Sequence, residues 1–89
     1  MNRDLHRESC FKDEYGIEAQ IHSQCWFNPD KTYDRVKIDF MINGKNYSLV
    51  EYMKGNATDY VFLLNGMEKL HFDKFIDAEK KLVEILKEK

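Results

Sequence analysis

The dipeptide Asn43-Gly44 lies between two segments of alternating polarity, and that arrangement leaves the chain little choice. A two-residue hairpin loop of type I′ needs positive φ at both positions, which asparagine and glycine tolerate. Before the loop, Val36, Ile38, Phe40 and Ile42 are apolar while Arg35, Lys37 and Asp39 are not. Period two marks a half-buried strand. With Asn43 and Gly44 as the loop, Phe40 falls opposite Tyr47 and Ile38 opposite Leu49, so the apolar residues of both strands share one face. The same register sets Arg35 against Tyr52 and Lys37 against Val50 on the other face.

The flanking segments extend this plan. Residues 17–27 alternate strictly, with Ile17, Ala19, Ile21, Ser23, Cys25 and Phe27 on one side and Glu18, Gln20, His22, Gln24 and Trp26 on the other. Asn28-Pro29-Asp30-Lys31 breaks that strand with turn chemistry. Residues 54–58 read as a loop. Tyr60–Leu64 is a continuous apolar run, expected to be central or covered on both faces. Asn65-Gly66 signals a second hairpin turn leading into Met67–Phe72. From about Lys74, with Asp73 as the expected N-cap, Phe75, Ile76, Ala78, Leu82, Val83, Ile85 and Leu86 recur at helical spacing. Leu5, Phe11 and Tyr15 allow a short helix ending near Gly16. The expected fold is α+β: an antiparallel four- to five-stranded meander with a C-terminal amphipathic helix packed on one face. Residues 1–89 form a single domain in this reading, and residues 1–15 a mobile or helical N-terminal segment.

The chain has 89 residues, of which 43% are hydrophobic. That suffices for one modest core. With 14 Lys+Arg against 16 Asp+Glu, the net charge of −2 argues against a protein whose main partner is the phosphate backbone. No run approaches the ~18 apolar residues of a membrane span. The first fifteen residues are rich in charge, so a cytoplasmic protein is expected, with Cys10 and Cys25 as free thiols. His22-x-x-Cys25 has the look of a zinc ligand pair, but positions i and i+3 of a strand face opposite ways. No metal or cofactor is expected. Glu18 and His22 share a face but lie ~13 Å apart along a strand, too far for direct proton relay, and no nucleophile or phosphate-loop motif is present. No catalytic residue is assigned, and a non-enzymatic protein is expected. Glu51 and Glu79 fall among apolar positions, each either reaching water at a margin or paired within the fold.

Strand parity gathers Trp26, Arg35, Lys37 and Tyr52 at one end of the polar sheet face, with His22 and Met41 toward the other. Trp, Tyr and Arg are the usual hot-spot residues of protein interfaces, and the cluster also suits base stacking beside cations. The first expectation is a small protein-binding module, an accessory or inhibitor protein of the kind phages and mobile elements encode. The alternative is single-stranded nucleic-acid binding by the same face. The order helix, three strands, helix resembles that of double-stranded RNA-binding domains, with Phe40–Ser48 in place of their central hairpin. In that family a Lys-rich start of the final helix grips phosphate; here those positions hold Asp73, Lys74, Asp77 and Glu79. The plan is similar also to single-stranded-DNA-binding transcriptional coactivators, in fold only. A homodimer is a further expectation, because the helix stripe is wider than one sheet face needs and at least one edge strand lacks a blocker.

The register is testable. Phe40→Ala is expected to destabilise the fold by about 3–5 kcal/mol in chemical denaturation. A loss below ~1 kcal/mol would place the register one residue out.

Overall fold

A computed structural model describes residues 3–26, 34–55 and 57–88. The elements are α1 (Arg3–Tyr15), β1 (Gln20–Trp26), β2 (Asp34–Ile42), β3 (Lys45–Lys54), β4 (Ala57–Asn65), β5 (Glu68–Phe72) and α2 (Phe75–Lys87). The five strands form one antiparallel sheet in sequence order. Both helices lie on the same side of it. The protein is thus an α+β meander, with an N-terminal helix added to the C-terminal one. No helix among the described residues is long and apolar enough to cross a membrane.

The central hairpin has the expected register: Phe40 pairs with Tyr47, Ile38 with Leu49, Lys37 with Val50 and Arg35 with Tyr52. Asn43 and Gly44 take φ of 51° and 78°, as a type I′ turn requires. Ile21, Ile38, Phe40, Ile42, Tyr47, Leu49, Val61 and Leu63 then face the helices and form the core with Phe11, Ala78, Leu82 and Val83. Phe11 brings α1 onto the sheet, its ring centroid 5.4 Å from that of Phe40. Leu5, by contrast, is exposed. Helix α1 ends where Gly16, at φ 70°, donates its amide to the Lys12 carbonyl at 2.7 Å, a left-handed cap open to glycine.

Several boundaries differ from the alternation pattern. β1 begins at Gln20 rather than residue 17, and Phe27 lies outside the described residues, as does the Asn28–Lys31 turn. β4 starts at Ala57, so most of residues 54–58 is strand rather than loop. The second turn is Gly66–Met67, not Asn65-Gly66: Asn65 pairs with Glu68, and only Gly66 has positive φ (62°), the signature of a type II′ loop. Lys74, not Asp73, occupies the N-cap of α2, without a side-chain hydrogen bond. Cys25, on the side of β1 that alternation assigns to the core, is exposed, at the end of an edge strand.

Helix α1 closes the outer edge of β1. An edge strand presents a backbone N–H at every second residue. Glu8 accepts the Ile21 N–H at 3.0 Å, and Asp4 accepts both the hydroxyl of Ser23, at 2.6 Å, and its backbone amide. The spacing explains the fit: four helical residues rise ~6 Å, and two strand residues ~6.6 Å. Carboxylates at i and i+4 therefore match amides at j and j+2. Lys12, one turn further along, pairs with Glu18 at 2.9 Å. At the other end of α1, the Tyr15 hydroxyl donates to Glu79 of α2 at 2.9 Å. Burial first, then the Glu79 carboxylate, pushes the Tyr15 hydroxyl up to about 12. The half-buried Glu79 is therefore paired within the fold, and Glu51 likewise accepts the Thr58 hydroxyl.

The Ser23 hydroxyl, with smaller contributions from the Ser23 amide and from the charges of His22 and Arg7, outweighs burial and holds the Asp4 carboxyl below its ordinary 3.8. A carboxyl depressed in the folded state stabilises the fold above its unfolded pKa, and that contribution is lost as pH falls through the folded pKa. Loss of stability below pH 3.8 therefore includes weakening of the Asp4–Ser23 contact between α1 and β1. Asp4→Asn is expected to flatten this part of the stability-versus-pH curve, measured by chemical denaturation at a series of pH values; an unchanged acid limb would contradict the edge cap.

Candidate binding face

The side of the sheet away from the helices is chemically organised in cross-strand rows. One row runs Trp26, Arg35, Tyr52, Tyr60, and the next runs Gln24, Lys37, Val50, Phe62, His71. Both lie at the end where β2 begins. Arg35 lies over the Trp26 ring, 4.3 Å from its centroid, and Lys69 over the Phe62 ring at 4.1 Å. Tyr52 stacks on Tyr60 at 4.6 Å and 19°, and Tyr60 on His71 at 5.5 Å and 21°. Phe62 meets Tyr52, Tyr60 and His71 edge-on. Trp26 keeps 40% of its surface exposed. Trp26, Arg35, Lys37, Tyr52, Phe62 and Lys69 line a shallow depression of about 390 Å³. A larger concavity of about 700 Å³ lies between α1 and the Asn43–Gly44 turn, but charged and polar side chains dominate its lining and no aromatic contributes.

Of the residues expected to share this surface, Trp26, Arg35, Lys37 and Tyr52 are brought together. His22 and Met41 lie on the same face but farther along it. His22 is four strand residues from Trp26, ~13 Å, and its imidazole lies 3.8 Å from Asp4 at the sheet edge. Met41 is six residues from Arg35, ~20 Å, paired with Gln20 and Asn46. His22 and Cys25 point to opposite sides of β1. No group of three or more His, Cys, Asp or Glu able to hold a metal occurs among the described residues.

Alternation alone does not find Tyr60, Phe62, Leu64, Lys69 and His71 on this face. The reason is a β-bulge. β3 and β4 pair as Lys54–Ala57 and Met53–Thr58, but the next pair is Tyr52–Tyr60, so Asp59 is the extra residue. Without it, Tyr60, Phe62 and Leu64 would face the helices, and Val61 and Leu63 would face outward. Both sets are apolar, so polarity offers no way to choose. The structure buries Val61 and Leu63 completely and leaves the aromatic set on the open face.

The face carries Arg35, Lys37 and Lys69 against Asp39, which lies 3.7 Å from Lys37 and accepts the Ser48 hydroxyl at 2.6 Å. It is therefore cationic in a chain of net charge −2. Its rings mostly spend their π-faces on one another or on a cation, and so present edges, hydroxyls and positive charge outward. Comparison of the chain with models of protein families, with curated proteins and with solved structures finds no match. Fold and face together define a class, a small α+β domain with one helix-covered and one aromatic, cationic sheet face.

The packing separates two kinds of aromatic residue. Trp26→Ala is expected to change stability by less than ~1 kcal/mol, the scale of an exposed cation–π contact. Tyr60→Ala, which removes two stacked neighbours, should cost about 1–3 kcal/mol. Thermal and chemical unfolding of the two variants measures the difference, and a collapse of Trp26→Ala would make that residue structural.

Proposed function

We propose that this protein is a non-enzymatic, cytoplasmic protein-binding module that acts by covering a partner's surface with the open face of its sheet. Its size and lack of catalytic motifs suit an accessory or inhibitor protein of the phage or mobile-element kind. The observation that carries this reading is the mutual stacking of Tyr52, Tyr60 and His71. Binding of unpaired bases needs aromatic faces free to stack. Here the outward elements are ring edges, the exposed part of the Trp26 indole and the charges of Arg35, Lys37 and Lys69, a combination matched to hot-spot recognition of protein side chains. Arg35, Lys37 and Lys69 favour a partner patch that pairs apolar groups with carboxylates.

The test uses immobilised wild-type protein and Trp26→Ala in nuclease-treated lysate of the source cells. A protein retained by wild type should be lost from the folded Trp26→Ala variant, with a binding loss above ~2 kcal/mol once the pair is purified. Its affinity should survive moderate salt. Binding instead to oligo(dT), falling steeply with salt and with a slope reduced by about one for each of Arg35→Ala and Lys37→Ala, would assign the face to single-stranded nucleic acid.

A further inference from the structure

The depression on the open face has a small side chain at its centre. Val50 stands between Lys37 and Phe62 across the sheet, and between Ser48 and Tyr52 along β3. Its side chain ends short of Lys37, Tyr52 and Phe62, so the surface dips there to an apolar floor that includes Leu64. Cations stand on both sides of this floor. On one side, Lys37 lies 3.7 Å from Asp39 of its own strand, and Arg35 lies over Trp26. On the other, Lys69 reaches from β5 to lie over Phe62 of β4. The ammonium groups of Lys37 and Lys69 are thus held near β2 and β4, about two strand spacings or ~10 Å apart. Among the described residues, no carboxylate lines the depression. Lys12 and Lys81 pair with Glu18 and Glu84, whereas Arg35 and Lys69 have rings for partners.

We propose that this depression takes a short acidic segment of a partner protein, with one apolar side chain seated on Val50 and a carboxylate on either side of it, one met by Lys37 or Arg35 and the other by Lys69. The proposal rests on the reading of the open face as a protein-binding surface and names the chemistry of the partner. Charge complementarity carries it. A floor of Val50, Phe62 and Leu64, with cations at both ends and no acid in the lining, matches an apolar group between two anions. The spacing suits a peptide, because ~10 Å is the length of about three extended residues. The shape favours a segment of a protein over a free small molecule. A small ligand gains its affinity by burying most of its surface, and a depression this shallow leaves much of it in water. A segment of a larger partner also gains contacts beyond the depression, where Tyr60 and His71 adjoin it on the same face. An apolar anchor at the centre with charges at the rim is the arrangement in which a few residues carry most of the binding.

Selection of random peptides displayed on phage, against the immobilised full chain, provides the test. Enriched sequences should share an apolar residue with Asp or Glu close by on both sides. One of them, synthesised and labelled, should bind Lys69→Glu about tenfold more weakly than wild type in fluorescence anisotropy. The same peptide with one flanking acid changed to lysine should recover its affinity on Lys69→Glu. Val50→Phe fills the floor and should weaken binding of the original peptide about tenfold or more. Thermal melts establish that both variants are folded, and the charge exchange decides alone if Val50→Phe is not. Enrichment of peptides without acidic residues, no enrichment at all, or binding insensitive to Lys69→Glu would each overturn the proposal. The two readings of the face fail separately. Neutral peptides lost on Trp26→Ala would overturn the acidic partner and keep the protein-binding face, whereas salt-sensitive binding of oligo(dT) with no peptide enriched would overturn both.

Discussion

Asn43 is the one non-glycine residue with positive φ among those described, and the arrangement of the sheet depends on what that backbone permits. The turn sets the sum of paired residue numbers across β2 and β3, and so decides which side of the sheet every residue of both strands faces. A slip by one would set Tyr47 and Leu49 on the side opposite Phe40 and Ile38, so that the apolar set of one strand would face solvent and its polar set would lie beneath the helices. Burial of the first set makes the alternative expensive, and the turn makes it unnecessary. Core and candidate binding face are thus two consequences of one local geometry.

What could be read from the residues follows the same line. The register of β2 and β3, the partners of Arg35 and Lys37, and the place of Trp26 beside Arg35 or Lys37 all come from alternation next to a strong turn; the structure selects Arg35. β4 resists that reasoning because Tyr60–Leu64 is apolar at every position. A single bulged residue, Asp59, turns half of these side chains to the open face, and nothing in the polarity of the run announces it. The edge cap was hidden for another reason. Asp4 and Glu8 look like ordinary solvated helix carboxylates until α1 lies along β1, and their partners are backbone amides, which leave no mark on the sequence.

The helix side and the open side also use their aromatic residues differently. Phe11, Phe40 and Tyr47 are buried, where shape and volume determine their worth. Tyr52, Tyr60, Phe62 and His71 lie at intermediate or high exposure and hold one another in place across three strands. Such mutual support fixes the geometry of a surface before any partner arrives, which lowers the ordering cost of binding. Arg35 over Trp26 extends that order to the sheet margin, where a side chain of this size would otherwise sample several rotamers.

The meander has a temporal side as well. Every strand pairs with its neighbour in sequence, so the sheet needs only short loop closures, and hairpins of this kind form on the microsecond scale. The contacts that close the ends of the chain are of another order: Tyr15 reaches Glu79 across 64 positions. The contacts of α1 with residues 18–23 span only 6 to 19 positions, so it is the meeting of α1 with α2 that requires the assembled sheet between them. Amide exchange in this protein will accordingly be graded along the sheet, slowest at β2, β3 and β4 and fastest where the first helix meets the first strand.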